Sequence, residues 1–600
     1  MTKVAEHTLH IPVLGIGYSI DAPVKVARYG ISSVMSLTDH WVIEKMRKHY
    51  CQQENEPYTE IKGPDAAAKR VTAYLNLLNK IVKKQFESLK TSAFEKGSEI
   101  VKYFELLPET SLLKQAYLKV YTNTDAKAKA EQEEWLRTHI KPGALDVNIM
   151  TKLDSPNYAP DGTQLPQEFN DAHAAFRGFA HSDLSSSIVF SAGMNPRLFS
   201  YIEQFPDFFP DANGHCKKKI ILKVSDYRSA YIQGKILTKK GLWISEFRIE
   251  SGLNCGGHAF ATDGYLFGPI LEEFKNNRTK LYDELLEMYT QGLHAKNLTL
   301  TEAPEMLITV QGGVGTPEEH NFLLRHYEMD SVGWGSPFLL VQEVMNVDDE
   351  TVDQLCKAGE EDFFVSNASP LGVKFNNFRP LSTVPRMKKL LAEGNPGFAC
   401  IKGVLVTDTT FTEKPICTAS KQYMKLKSKA IEDQNLSPEE KEKALNKMME
   451  KNCLCMGLST TTLRFHKIKE EVDFVTICPG PNLAYFNKKA TLKEMVDHIY
   501  GRASIMDATN RPNMFIKELS LYVDHLKEKI EENKTILSEK NKQYLINFRS
   551  KMQEGIDYYY KLIPELKEES DKVKEKMQAA LQNFEAVLNG LQLVPVVVSC

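Results

Sequence analysis

The chain has 600 residues, 42% of them hydrophobic and 26% charged, which is typical of a globular protein built from several domain-sized pieces. Lys and Arg number 75 against 78 Asp and Glu, a net charge of -3, and this balance argues against a dedicated nucleic-acid binder. No apolar run is long enough for a membrane span, the first residues lack the apolar stretch of a signal peptide, and the ten cysteines are scattered. We therefore expect a cytoplasmic enzyme with reduced thiols that acts on a small molecule, without nucleic-acid or membrane partners.

Short β-branched runs alternate with Gly-rich turns and amphipathic helices, a pattern typical of a parallel α/β fold. Seven runs read as strands and an eighth is weaker or hidden, so the pattern predicts a (β/α)8 TIM-type barrel, whose chemistry lies on the loops that follow the strands. The seven runs are residues 31–37, 146–153, 187–191, 220–224, 242–248, 306–311 and 331–334.

The rest of the chain is mainly helical in its pattern. A long stretch with helical spacing interrupts the barrel and is expected to cover its mouth as a lid. The C-terminal helices have one charged and one apolar face; they pack on their own barrel or, as the alternative, join two copies in a homodimer. The predicted division is a barrel in residues 1–40 and 140–345, a helical insertion in 41–139, an appended α/β region in 346–500 with a charged helix over 431–451, and a helical region in 501–600.

Two Gly-rich segments follow late strands of the predicted barrel. The first is QGGVGT from Gln311 to Thr316, and the second is GWGS from Gly333 to Ser336. Glycines let backbone N–H groups converge on an anion, and adjacent strand ends late in a barrel form its usual phosphate site. Each segment alone also fits an ordinary turn. Together, in this order, they predict a phosphate-bearing ligand.

Two further segments place reactive groups at the mouth. The segment GLNCGGHAF follows the strand LWISEFR and carries His258 and Cys255. His258 is either an acid or base near the substrate or an orienting histidine that hydrogen-bonds a backbone carbonyl. Cys255 is a packing or cofactor contact. The strand IILKV ends with Lys223, which we expect to meet a phosphate or carboxylate. Arg228 nearby is expected to form surface ion pairs.

These motifs, in order, resemble the flavin-dependent nitronate monooxygenase superfamily. The resemblance rests on a Gly-rich N-terminal strand, Asn148 in DVNIM, Lys223 in LKVS, CGGH, QGGVGT and GWGS, and it covers roughly residues 10–40 and 140–375. GGVGTPEE and the segment LCKAGEEDFFVSNASPLG look closer to the enoyl-reductase subunit of polyunsaturated fatty acid synthases, a member of the same superfamily.

The resemblance implies FMN bound in the barrel, with NAD(P)H as a candidate electron donor. It implies catalytic roles for Lys223 and His258, and cofactor contacts at Gly15, Gly17, Asn148, Lys223, Cys255, Gly256, Gly257, Gly312, Gly313, Gly333, Gly335 and Ser336.

One departure from the family's pattern bears on which reaction the chain catalyses. The catalytic histidine of the commonest nitronate monooxygenases falls at Ser229 here, which puts nitronate oxidation in doubt but not flavin binding. We expect an FMN-dependent oxidoreductase of monooxygenase or enoyl-reductase type acting on a small organic or acyl-thioester substrate through flavin N5. The alternatives are a non-redox barrel that binds another phosphorylated metabolite, and a binding module with a degenerate site.

Four cysteines lie beyond the barrel, Cys417, Cys453, Cys455 and Cys478. Four thiols are enough to hold zinc or an iron–sulfur cluster, but their spacing fits no common metal framework; packing in the core is the favoured interpretation, and we assign them no metal. The adjoining CPGPN, residues 478–482, predicts a rigid turn that borders a substrate channel.

Overall fold

The computed structural model describes residues 7–191, 193–254, 258–259, 263–506, 510–532 and 538–593, with only the backbone at 121, 258 and 259. The strands in these ranges are β1 (Leu9–His10), β2 (Ser33–Ser36), β3 (Leu145–Met150), β4 (Ser186–Ser191), β5 (Lys218–Val224), β6 (Ile244–Glu250), β7 (His258–Ala259), β8 (Leu307–Gln311), β9 (Ser331–Gly333), β10 (Phe363–Ser366) and β11 (Lys374–Phe378).

The α-helices in the same ranges are α1 (Ala22–Val26), α2 (His40–Gln53), α3 (Ala66–Thr91), α4 (Glu99–Leu106), α5 (Leu112–Thr122), α6 (Ala126–His139), α7 (Asp171–Ala180), α8 (Pro196–Tyr201), α9 (Tyr227–Thr238), α10 (Phe267–His294), α11 (Pro317–Arg325), α12 (Asp349–Lys357), α13 (Val384–Ala392), α14 (Lys421–Glu432), α15 (Pro438–Met449), α16 (Leu454–Phe465), α17 (Leu492–Ile499), α18 (Met514–Glu532), α19 (Glu539–Leu562) and α20 (Asp571–Gly590).

Eight strands form one parallel sheet in the order β1-β9-β8-β6-β5-β4-β3-β2. A parallel bridge between Ile11 and Ser33 joins the edge strands β1 and β2, so the sheet closes on itself. The predicted (β/α)8 barrel is therefore confirmed. The hidden eighth strand is β1, which has only two residues.

Strand β6 shows how the barrel separates its two faces. In its sequence, ISEFRIE, Phe247 and Ile249 are fully buried in the main hydrophobic core outside the sheet. Glu246, Arg248 and Glu250 alternate with them and point into the barrel, as the two-residue period of a strand requires. The interior therefore carries many polar groups, and it also contains a small apolar cluster of Val34, Val189 and Ile221.

The predicted insertion consists of helices α2 to α6. Asp39, Ser98, Ser111 and Asp125 cap four of them, since each side chain accepts hydrogen bonds from backbone N–H groups of the first turn. Helix α3 packs along α7 at the side of the barrel, where a Cβ on Gly178 would lie 2.6 Å from the Cβ of Val71. Gly178 thus allows the two helices their close approach.

The appended region contains a second, antiparallel sheet in the order β10-β11-β7, with β7 contributed by the segment that follows β6. The predicted helix over 431–451 is wrong in its first part. Helix α14 ends at Glu432, and α15 begins at Pro438 behind the cap Ser437. Ser437 and Glu440 form a reciprocal capping box, so the Ser-Pro-Glu-Glu signal was correct and the continuous helix was not.

The C-terminal helices α18, α19 and α20 pack against each other and against α10 of the barrel. The Glu518 carboxylate in α18 accepts hydrogen bonds from the N–H groups of Gly252 and Phe267, both at 2.8 Å. Packing on the chain's own barrel is thus the arrangement found; homodimer formation stays a prediction. Among the described residues, no helix combines the length and apolar character needed to cross a membrane.

Candidate functional site

The inner face of β6 carries a buried charge network below the barrel mouth. Arg248 Nε donates to Glu246 Oε1 at 2.7 Å, and Thr309 Oγ1 donates to the same oxygen at 2.5 Å. Asp146 lies in the same interior, where burial raises the pKa of its carboxyl to about 6 against the lowering effect of Arg248. This network fills the lower barrel with satisfied polar groups.

Three neighbouring strands bring one residue each to the mouth. Lys223 Nζ donates to Glu250 Oε1 at 2.9 Å, and Gln311 Nε2 donates to the same oxygen at 3.0 Å. The side chains of Lys223 and Glu250 are only 12% and 14% exposed. The carboxylate therefore fixes a cation and an amide at the carboxyl ends of β5 and β8, the usual place of chemistry in this fold.

Asn148 lies on the same inner surface two strands away. Its Nδ2 atom donates to the Val189 carbonyl at 3.2 Å, and its Oδ1 atom accepts from Ser191 at 3.4 Å. The side chain is buried. Both ends of its amide already have protein partners.

The loop after β8, residues 312–316, holds the predicted glycine pair in the left-handed region, with φ of +103° at Gly312 and +86° at Gly313. A Cβ at these positions would lie 2.6 Å from Ser251 Oγ and 2.6 Å from Leu253 Cδ1, respectively. Close approach of the loop after β6 therefore requires glycine here. Within the described residues, the N–H groups of Gly313 and Val314 have no acceptor.

The loop after β9 contains Gly333, Gly335 and Ser336. A Cβ on Gly333 would lie 2.8 Å from His10 Nε2, so this glycine accommodates a buried imidazole. His10 Nδ1 lies 2.9 Å from Ser331 Oγ, and Nε2 has no partner in the described part of the chain. Burial, together with Arg248, holds the His10 pKa well below its usual value, so the ring is neutral.

The N-terminal loop holds the two other predicted glycines. A Cβ on Gly15 would lie 2.7 Å from the Tyr18 ring, and one on Gly17 would lie 2.6 Å from Thr462 Oγ1 of α16. The Tyr18 hydroxyl donates to the Thr476 carbonyl at 2.7 Å. This loop thus packs against the segment that follows the barrel.

A cover over the late strand ends comes from the C-terminal half of the chain. Gly480 N–H donates to Ser336 Oγ at 2.7 Å, and Asn482 Nδ2 donates to the Val314 carbonyl at 2.8 Å. Arg511 donates to the Gly313 carbonyl at 2.8 Å and forms a two-bond ion pair with Glu319, both side chains being almost fully buried. The predicted CPGPN turn thus lies across both glycine loops, and a lid role for the insertion stays a prediction.

Several predicted site residues fall outside this description. Cys255, Gly256 and Gly257 lie outside the described residues, and for His258 only the backbone is described, paired with Phe375 in the second sheet. Their assigned roles stay predictions. Arg228 is exposed, and Ser229 lies in the first turn of α9, where its N–H donates to Asp226.

Three residues of this region were missed from the sequence. Glu250 belongs to the alternation ISEFRIE, whose charges at every second position indicate one polar strand face and were a usable signal. Glu319 and Arg511 are 192 residues apart, and no local pattern pairs them.

The four cysteines named above do not gather around one point. Cys478 lies beside Tyr18 and Gly15, and burial raises its pKa to about 12, whereas Cys417, Cys453 and Cys455 line a different cavity. In the described ranges, no group of three or more His, Cys, Asp or Glu side chains is placed to hold a metal ion.

Comparison with known proteins gives structural likenesses only. No protein-family model matches the chain, and no curated protein matches it. FabK from Thermotoga maritima is similar in structure, with a TM-score of 0.36, 10% identity, and coverage of 87% of this chain and 96% of FabK. The enoyl reductase domain of MlnA, from the macrolactin biosynthesis cluster of Bacillus amyloliquefaciens, has a TM-score of 0.30, 16% identity, and coverage of 69% and 93%. The barrel assignment rests on the strand pairing of this chain.

Proposed function

We propose that this chain is an FMN-dependent oxidoreductase acting on a small organic or acyl-thioester substrate at the barrel mouth. The observation that carries the proposal is the Lys223–Glu250–Gln311 cluster beside the left-handed glycine pair, at one end of a parallel barrel. A fixed cation next to backbone donors suits a ligand with a phosphate and a polar ring.

The residues present fit such a ligand. The N–H groups of Gly313 and Val314 supply donors for a phosphate, and the N-terminus of α11 adds a favourable dipole. Ser336 Oγ accepts from Gly480 and keeps its own proton to donate. Lys223 would hold the ring by its electronegative edge.

FMN supplies the redox chemistry when bound, exchanging a hydride at its N5 atom. The protein's part is placement and electrostatics. Glu250 keeps the Lys223 ammonium directed into the mouth, where it stabilises negative charge on its ligand. Residues 478–482 and Arg511 cover the late strand ends and exclude water from that side.

An absorption spectrum of the purified protein tests the proposal, together with the spectrum of the supernatant after heat denaturation. We expect a yellow protein that releases free FMN. Bleaching by NAD(P)H without air would identify a reductase, and bleaching only by an organic substrate an oxidase or monooxygenase. A colourless protein that takes up no added FMN would refute the proposal.

A pair of lysine variants locates the binding. Lys223→Met removes the cation at the mouth and should weaken FMN binding by on the order of tenfold, the effect of one charge-assisted hydrogen bond. Lys219→Met, on the same strand but exposed, is the matched control and should bind as wild type.

A second function, the binding of another phosphorylated metabolite without redox chemistry, is favoured by Asn148. The resemblance assigns this residue a cofactor contact, but both ends of its amide already have protein partners. A colourless protein that binds inorganic phosphate, and loses this binding in Lys223→Met, would support this second function over the first.

A further inference from the structure

A cluster of four cysteines lies outside the barrel mouth, in the appended region. Cys400, Cys417, Cys453 and Cys455 line one small cavity, beside Lys402 and the start of α16. Cys400 is exposed, whereas Cys417 is only 6% exposed and Cys453 and Cys455 7% each. An accessible thiol thus stands next to a buried one.

The exposed Cys400 and the buried Cys417 are neighbours in this cavity. Hydrogen bonding to Cys417 and to the Gly403 N–H lowers the pKa of the Cys400 thiol. The neighbouring Cys400, together with burial, raises the pKa of Cys417. The sulfur that solvent reaches is therefore the more acidic of the two, and the buried thiol lies behind it, the arrangement of an attacking and a resolving cysteine.

The backbone holds this contact in place. A parallel bridge joins Phe398 to Ser420, with Phe398 N–H donating to the Ala419 carbonyl at 3.0 Å. Lys402 Nζ donates to Asp39 Oδ2 at 2.5 Å and to Ser459 Oγ at 3.1 Å, and so anchors the Cys400 segment to the end of β2 and to α16. Both cysteines are therefore attached to fixed elements.

We propose that Cys400 and Cys417 are a redox-active thiol pair, which a low-molecular-weight disulfide oxidises to an intramolecular disulfide. The Cys400 thiolate attacks one sulfur of the reagent, so that a mixed disulfide forms and one reagent thiolate leaves. That thiolate takes the proton of Cys417, whose sulfur then attacks Cys400 Sγ and expels the second reagent thiolate. Two cysteine sulfurs are oxidised, and one disulfide is reduced to two thiols.

The bond would close a loop that forms part of a second cavity. The segment between the two cysteines lines a cavity of about 370 Å³ next to β2 and α3. Its lining residues include Ile401, Lys402, Val404, Val406 and Lys414. Oxidation would restrict this wall by fixing both ends of the segment. The proposal does not depend on the function proposed above.

Peptide mapping tests the pair. The reduced full-length protein is incubated with glutathione disulfide at pH 7, alkylated and digested, and its peptides are analysed by mass spectrometry. We expect a cross-linked peptide that joins Cys400 to Cys417 and disappears after treatment with dithiothreitol. Cys356, half-buried and outside the cluster, is the internal control and should stay alkylated. A bond from Cys400 to Cys453 or Cys455, or no reaction at Cys400, would overturn the proposal.

Two variants separate the roles of the sulfurs. Cys417→Ser should accumulate the mixed disulfide of Cys400 with glutathione, and Cys400→Ser should leave Cys417 unmodified. A measurement on the wild type needs no variant: alkylation of Cys400 should reach half its maximal rate at a lower pH than the roughly 8.5 of an ordinary thiol. A half-maximum at the ordinary pH would contradict the attacking role of Cys400.

Discussion

Glu250 positions two side chains at once, since one of its oxygens accepts from both Lys223 and Gln311. Glu250→Gln keeps the shape of the side chain but removes the charge opposite a largely buried ammonium. We expect it to lower the free energy of unfolding by about 2 kcal/mol, measured by urea unfolding. Glu287→Gln on the exposed side of α10 is the control, and equal midpoints for both variants would show that Lys223 needs no counter-charge.

The glycine pair after β8 offers a second comparison. Gly313 and Gly372 have similar φ angles, +86° and +74°, but a Cβ would meet Leu253 at 2.6 Å in the first and open space in the second. Alanine at either site costs about 1 kcal/mol for the left-handed backbone, and Gly313→Ala adds the clash. We expect Gly313→Ala to melt at a lower temperature than Gly372→Ala and to retain less FMN. Identical melting and FMN content in the two variants would argue against this role of Gly313.

For single residues, the sequence predicted the positions that local motifs determine. Lys223, Gly312, Gly313 and Gly333 are at the strand ends where the motifs placed them, because strand and turn signals are local. The partners of these residues were not predicted. Gly480 on Ser336 and Arg511 on Gly313 are contacts between distant segments, which depend on how the C-terminal half folds back.

The docking of α18 depends on a buried carboxyl, and this makes it sensitive to pH. Burial raises the pKa of Glu518 to about 7 against an ordinary 4.5. The unfolded chain therefore releases this proton first as pH rises, so the contribution of Glu518 to the stability of the folded state is greatest below pH 4.5 and falls until about pH 7. Glu518→Gln cannot ionise and lacks this fall.

Over that pH range, the free energy of unfolding of the wild type should fall by on the order of 3 kcal/mol relative to that of Glu518→Gln. Denaturant titrations at pH 4.5 and pH 7.5 measure it. Glu554→Gln, on an exposed position of α19, is the control for the change in net charge. A difference that stays constant with pH would mean that Glu518 ionises as freely in the folded protein as in the unfolded chain.

Elements were predicted as far as their length allowed. Strands of five to seven residues were found within three residues of their predicted bounds, whereas β1, with two residues, gives no periodicity to detect. The predicted helix over 431–451 failed where Asp433 to Ser437 leave the helical conformation and Ser437 starts a new helix. The capping signal at Ser437 was correct, but the helix predicted from the charge pattern began too early.

On the scale of the whole molecule, Arg511 and Glu319 join the C-terminal helices to the barrel through a buried ion pair. In Arg511→Met, the buried carboxylate of Glu319 has no counter-charge, and it accepts hydrogen bonds from the N–H groups of Gly315 and Met514 alone. We expect a loss of about 3–5 kcal/mol in the free energy of unfolding. Because the two residues act as a pair, the double variant Arg511→Met, Glu319→Gln should lose less than the sum of the single variants, and strict additivity would contradict the coupling.

The fold class was predictable because a parallel barrel repeats one unit, and each repeat has its own local signal. The covering of the mouth was not, since it depends on a return of the chain over more than a hundred residues. Among the insertion helices, α3 packs along α7 at the side of the barrel, where Gly178 admits it, and a lid role for the insertion stays a prediction.

That return of the chain has a consequence for synthesis. The last barrel strand ends at Gly333, but the residues that close over it, Gly480, Arg511 and Glu518, are translated much later. A ribosome that works from the N-terminus has therefore released every barrel strand while the polar interior is still open to solvent or a chaperone. The site is therefore completed late in the synthesis of the chain. A chain that stops before residue 511 would contain every barrel strand but lack Arg511 and Glu518, which close over them.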